Sequence, residues 1–100
     1  MISHVVLFKL KEYNSEQEKA AVITKIKKGL LGLKDKIAEL KYIEVGPNYQ
    51  LDAKSFDICL ITHFISIADM ETYAIHPEHL KILAIIRENM ADRAAVDFEF

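Results

Sequence analysis

The sequence predicts an α+β domain of order β, α, β, β, α, β. Two helices should pack on one face of a four-stranded antiparallel sheet. Four short stretches, at 2–10, 40–46, 56–64 and 93–100, are rich in β-branched and aromatic residues. Two longer stretches, 15–33 and 77–91, repeat their apolar residues at helical spacing. Their order along the chain is that of the ferredoxin-like split βαβ arrangement. At 100 residues the chain makes a single domain, 1–100.

The first strand runs from Ile2 to Leu10. His4, Val6, Phe8 and Leu10 face one way, and Val5, Leu7 and Lys9 the other. Ser15-Glu16-Gln17-Glu18 is a capping box, with Ser15 as the cap and Glu18 reaching back. A helix follows to about Leu33, with Val22, Ile26, Leu30 and Leu33 as its apolar stripe. Gly29 and Gly32 weaken its last turn and mark the exit. Residues 40–46 form the second strand. Gly46-Pro47-Asn48 ends it, and a loop continues to Ser55. Phe56 to Phe64 is a third, almost wholly apolar strand. Ser66-Ile67-Ala68-Asp69 is a second capping box, opening a short helix through about Tyr73. The main second helix runs from Pro77 to Ala91, with His79, Leu83, Ile86 and Met90 as one buried stripe. Arg93 to Phe100 is the last strand.

Composition excludes several classes. The net charge is −2 and no basic cluster reaches the density of a nucleic-acid footprint. Lys25, Lys27 and Lys28 alternate with apolar residues and read as the wet side of a helix. No apolar stretch is long enough to span a bilayer. The first strand begins at the start of the sequence, which leaves no room for a signal peptide. The lone Cys59 sits in an apolar run as a small hydrophobe, with no disulfide partner. The expected location is the cytoplasm.

Helices on one sheet face should leave the other polar. Here both faces are apolar. Phe56, Ile58, Leu60 and Phe64 stand opposite Cys59 and Ile61, and Val96, Phe98 and Phe100 share one face of the last strand. Two sheets facing each other in a homodimer would bury this surplus. His63, on the same face as Cys59 and Ile61, then belongs to the interface.

The segment Tyr73-Ala74-Ile75-His76-Pro77-Glu78-His79 concentrates proton-transfer chemistry. Pro77 suits the first helical position, which makes His76 the N-cap and puts His79 in the first turn. The helix dipole there disfavours an imidazolium, so a neutral His79 able to act as a general base is expected.

The opening Ile2-Ser3-His4-Val5-Val6-Leu7-Phe8-Lys9-Leu10-Lys11, the Tyr73–His79 stretch with its His-Pro-x-His core, and the closing Arg93 to Phe98 together resemble the stress-responsive A/B barrel (Dabb) domain. The resemblance covers essentially the whole chain. It implies a dimeric α/β barrel of ferredoxin-like subunits. The family includes plant heat-stable stress proteins and olivetolic acid cyclase, which performs an intramolecular aldol condensation. Matched to that enzyme, its catalytic tyrosine falls on Tyr73 and its catalytic histidine on His79. An acid that orients the histidine falls on Asp97. His4 and His76 match further histidines in or near the pocket. The implied pocket, between sheet and helices, is lined by His4, His76, Val6, Phe8, Val22, Ile26 and Leu60. The cyclase has aromatics at the positions of Val22 and Ile26, so its substrate does not carry over. No metal or organic cofactor is implied. The expected ligand is a small apolar oxo compound, handled by lyase, cyclase or isomerase chemistry.

Bland readings stand beside these. His79 could be a core histidine bonded to Asp97, His76 a plain cap, and Tyr73 a core tyrosine. Alternation with Val96 and Phe98 puts Asp97 on the polar side of an edge strand. Arg87 and Arg93, flanking Asp92, read as surface ion pairs of small value. A non-catalytic, chaperone-like stress dimer is the competing function. Haem degradation, found in related dimeric barrels, is a third, which the helix-start position of His79 disfavours.

Overall fold

A computed structural model describes residues 1–49 and 55–100. The elements are β1 (Ile2–Leu10), α1 (Glu16–Leu31), a 3-10 turn (Gly32–Asp35), β2 (Tyr42–Pro47), β3 (Ile58–Phe64), α2 (Ile67–Ile75), α3 (Pro77–Asn89) and β4 (Met90–Glu99). The strands form one antiparallel sheet in the order β2-β3-β1-β4. This is the ferredoxin-like fold the patterning predicts, with the expected split helix at Pro77. Part of the loop expected between Asn48 and Ser55 lies outside the described residues.

The caps explain where the helices begin. Ser15 Oγ accepts the Glu18 N–H at 3.1 Å and Ser66 Oγ accepts the Asp69 N–H at 3.2 Å. His76 is the N-cap of α3, with Nδ1 accepting the Glu78 N–H at 3.1 Å and Pro77 as the first helical residue.

Register decides which residues see the helices. Val6 stands opposite Leu60 on β3 and Ala95 on β4, so even-numbered residues of β1 and β3 and odd-numbered residues of β4 share the helix-side face. Val6, Phe8, Ile58, Leu60 and Phe64 are buried there against Ile26 and Leu30 of α1 and Ile82 and Ile86 of α3. Burial of these side chains on one face is the main stabilising term.

Gly29 has a different role from the one expected. A Cβ on it would lie 2.4 Å from Ile82 Cδ1, so its missing side chain lets α1 and α3 approach. Gly32 alone marks the helix exit, as the C-cap of α1.

The predicted pattern also missed Asp57. This buried carboxylate accepts the Leu10 N–H at 2.7 Å where the β1–β4 register shifts, and meets Lys19 Nζ at 2.7 Å. It thereby ties the end of β1 to the entry of β3 and to α1.

The opposite sheet face is open. On it Val96, Phe98 and Phe100 are 62%, 49% and 58% exposed, and His63 is stacked on Tyr42 with ring centroids 4.6 Å apart. Phe100 also packs on this imidazole, tilted, with centroids 4.7 Å apart.

Candidate functional site

Between the sheet and helices α2 and α3 lies a cavity of about 510 Å³. Strands and helices with different periodicities build its walls. β1 contributes His4, Val6 and Phe8 at every second residue, and Leu60 of β3 extends that row. α3 contributes His79, Leu83 and Ile86, and Met90 follows at the start of β4. These are the residues whose spacing reads as a buried stripe. The stripe is real, but it faces a cavity, while Ile82 beside it fills the core. Tyr73 and Ala74 of α2 close the wall.

Tyr73 is 3% exposed, and its hydroxyl is a buried polar group without a hydrogen-bond partner among the described residues. Burial pushes its pKa up to about 12, which keeps it a protonated donor. Such an unpaired buried group is costly, and it needs a physical reason. The ring packs against His79, with centroids 4.4 Å apart.

His79 Nδ1 donates to the Ala74 carbonyl at 2.9 Å. A carbonyl can only accept, so Nδ1 carries the proton and Nε2 holds the lone pair of the neutral ring. Burial lowers the His79 pKa. The charges of His4, Arg87 and His76 act in the same direction, against the Ala74 hydrogen bond, which raises it. The neutral state matches the expectation from the helix start, but desolvation is the dominant cause.

Asp97 does not orient His79. Its carboxylate accepts from His4 Nδ1. The reason lies in the ladder: Asp97 and His4 are directly opposed across β1 and β4, with both side chains on the helix-side face. The structural alternative for His79, a bond to Asp97, fails for the same reason. Asp97 is also outside the cavity lining.

Other expected residues lie elsewhere. His76 spends Nδ1 on the helix cap and does not line the cavity. Ile26 is in the core and Val22 packs against it, so α1 reaches the cavity through Leu30 instead. His4, Val6, Phe8, Leu60, Tyr73 and His79 all line the cavity. Among the lining residues not foreseen are Leu30, Met70, Glu71 and Ala74, and the two cations Arg87 and Arg93. Asp92 accepts from the backbone N–H of Arg93, and neither guanidinium has an ion pair or hydrogen bond among the described residues. Among the described residues no three His, Cys, Asp or Glu side chains gather as a metal site requires, and no helix is long and apolar enough to cross a membrane.

A family model, the stress responsive A/B barrel domain (Dabb), matches residues 2–100. The chain belongs to this family. Among solved structures, this Dabb chain is similar to a dimeric protein of ferredoxin-like fold from Bacteroides fragilis. The two are 36% identical, with a TM-score of 0.89 over 99% of this chain and 95% of that one. A dimeric ferredoxin-like protein from Thermobifida fusca is 31% identical, with a TM-score of 0.80 over 99% and 90% of the two chains. A hydroxynitrile lyase from Passiflora edulis shares the fold at 17% identity, with a TM-score of 0.76 over 97% and 90%. Among curated proteins none matches this sequence.

Proposed function

We propose that this Dabb chain is a homodimer whose subunits each bind a small oxo compound in the cavity and act on it by cofactor-independent acid–base chemistry, of lyase, cyclase or isomerase type. The observation that carries the reading is the Tyr73 hydroxyl, buried and unpaired beside His79 in an accessible cavity. The hydroxyl is shielded from solvent in the cavity wall, and a ligand carbonyl that displaces the wall around it supplies the acceptor it lacks.

His79 Nε2 takes a proton from the carbon next to the carbonyl. The Ala74 carbonyl holds the ring in the required tautomer and stabilises the transient imidazolium. Tyr73 donates to the carbonyl oxygen as negative charge develops on it, where a low-dielectric setting strengthens the bond. His4, oriented by Asp97, offers a second acid–base group at the cavity wall. Each such group contributes typically ~10²–10⁴-fold. Fold alone does not choose among reactions, because one architecture hosts many.

The dimer reading is supported by the exposed apolar sheet face and by the dimeric relatives. A purely structural stress dimer gives no reason for an unpaired hydroxyl beside an open cavity.

The test is exchange of α-protons into D2O, followed by NMR over a panel of small ketones. The wild-type protein should accelerate exchange for at least one of them. His79→Ala should remove ~100-fold or more of that acceleration with circular dichroism unchanged. If no ketone exchanges faster with the protein than without it, the catalytic reading is wrong.

A further inference from the structure

The cavity is polar at both ends. The first end holds His79, Tyr73 and His4. The second holds Arg87, in the last turn of α3, and Arg93, near the start of β4. Their backbone positions stand apart along two elements, the arginine side chains reaching into the cavity from the far end. His79 and Arg87 are eight residues apart on one helix, a rise of ~12 Å. Arg93 is the cross-strand partner of Phe8, four residues along β1 from His4, or ~13 Å. Both arginines lie toward the same end of the domain, because the Lys11 N–H, just beyond β1, bonds the Asn89 carbonyl at the close of α3. Between the two ends the wall is apolar, made by Val6, Phe8, Leu83 and Ile86.

The remaining charged lining group is Glu71, on α2 one turn before Ala74. Ala74 is the residue that holds His79, so Glu71 accompanies the histidine end of the helix. Asp92 and Glu88 neighbour the arginines in sequence and pair with neither guanidinium. Two planar cations without carboxylate partners, at the end of an apolar channel, form a receptor for a planar anion.

We propose that Arg87 and Arg93 are the specificity-determining residues of this cavity, and that its ligand is an elongated oxo acid whose carboxylate sits at the arginines while its carbonyl meets Tyr73 and His79. This rests on the proposed oxo-compound reading and adds the class of substrate. The apolar middle fits a flexible or unsaturated carbon chain. The arginines bind and orient, and take no part in proton transfer.

The probes are 7-oxooctanoate and its methyl ester, titrated into wild-type protein and an Arg87→Gln/Arg93→Gln double variant. Binding is followed by NMR of the histidine and tyrosine rings. The acid should bind at least ~10-fold more tightly than the ester. The double variant should lose that preference and still bind the ester. If the ester binds as well as the acid, or the preference survives in the double variant, the anion site is overturned and the oxo-ligand reading stands. If the acid needs the arginines but leaves the Tyr73 and His79 resonances unmoved, the anion site stands, and the placement of the carbonyl and the catalytic reading fall. If neither probe binds, both fall.

Discussion

Asp97 and His4 face each other across the β1–β4 ladder, and the Asp97 carboxylate accepts from His4 Nδ1. The acid that family resemblance assigns to His79 therefore serves a different histidine. Asp97→Asn should shift the ring resonances of His4 and leave those of His79 where they are. Any turnover should fall by ~10²-fold through loss of the oriented second histidine. Stability should change by less than ~0.5 kcal/mol, since Asp97 is half-exposed. A shift at His79 with none at His4 would return Asp97 to the role it was first assigned.

Tyr73→Phe separates function from stability. The wild-type hydroxyl carries the desolvation cost of an unpaired buried group, ~1–3 kcal/mol, and phenylalanine removes it. The variant should be as stable as the wild type or more stable, by up to ~1 kcal/mol, in urea unfolding. Its α-proton exchange activity should disappear. Clear destabilisation would mean that the hydroxyl has a partner in solution.

His79 gives stability a pH dependence of definite sign. Its folded pKa lies below the ordinary value of 6.5, chiefly through burial, with the charges of His4, Arg87 and His76 acting in the same direction. Below that ordinary value the unfolded chain takes up the proton more readily than the folded one, so unfolding is favoured as pH falls. The stabilising contribution is complete above pH 6.5 and is lost as pH falls through the lowered folded value. Urea midpoints should decline over this acid window, and His79→Gln should flatten that part of the curve. An unchanged slope in the variant would assign the effect to another group.

Asp57 should prove the most sensitive polar residue for folding. Asp57→Ala leaves the Leu10 N–H and Lys19 without their partner, at a cost of ~3 kcal/mol. Asp57→Asn keeps an acceptor for Leu10 and should cost less. Equal losses in the two variants would show that the ion pair, not the hydrogen bond, holds the strand end.

The open sheet face should behave as an interface. Phe98→Lys places a charge among exposed apolar residues of β4 and should shift sedimentation from dimer to monomer. The cavity lies on the other side of the sheet, so ligand binding by a monomer tests whether each site is complete in one subunit. A wild-type protein that sediments as a monomer at micromolar concentration would remove the dimer reading.

The sequence by itself determined the order of elements, because that order rests on local chemistry. Ser15, Ser66 and His76-Pro77 satisfy orphan backbone donors within a few residues of themselves, so helix starts are visible without a fold. β1 shows as a strand for the same reason, its run of β-branched and aromatic residues being local. Tyr73 and His79 stood out by residue type and spacing, whereas His4 entered the candidate site only through the family resemblance.

What only the tertiary structure decided was pairing. Asp97 meets His4 because the antiparallel register places positions from opposite ends of the chain side by side. A one-residue slip would send Asp97 to the open face. His79 and Leu83 of that stripe line a cavity and Ile86 belongs to both its wall and the core, while Ile82 beside them packs at Gly29 of α1. Apolar spacing marks a face as shielded from solvent by the fold, but it cannot tell close packing from empty space. That depends on how far apart the surrounding elements stand, which no local pattern encodes.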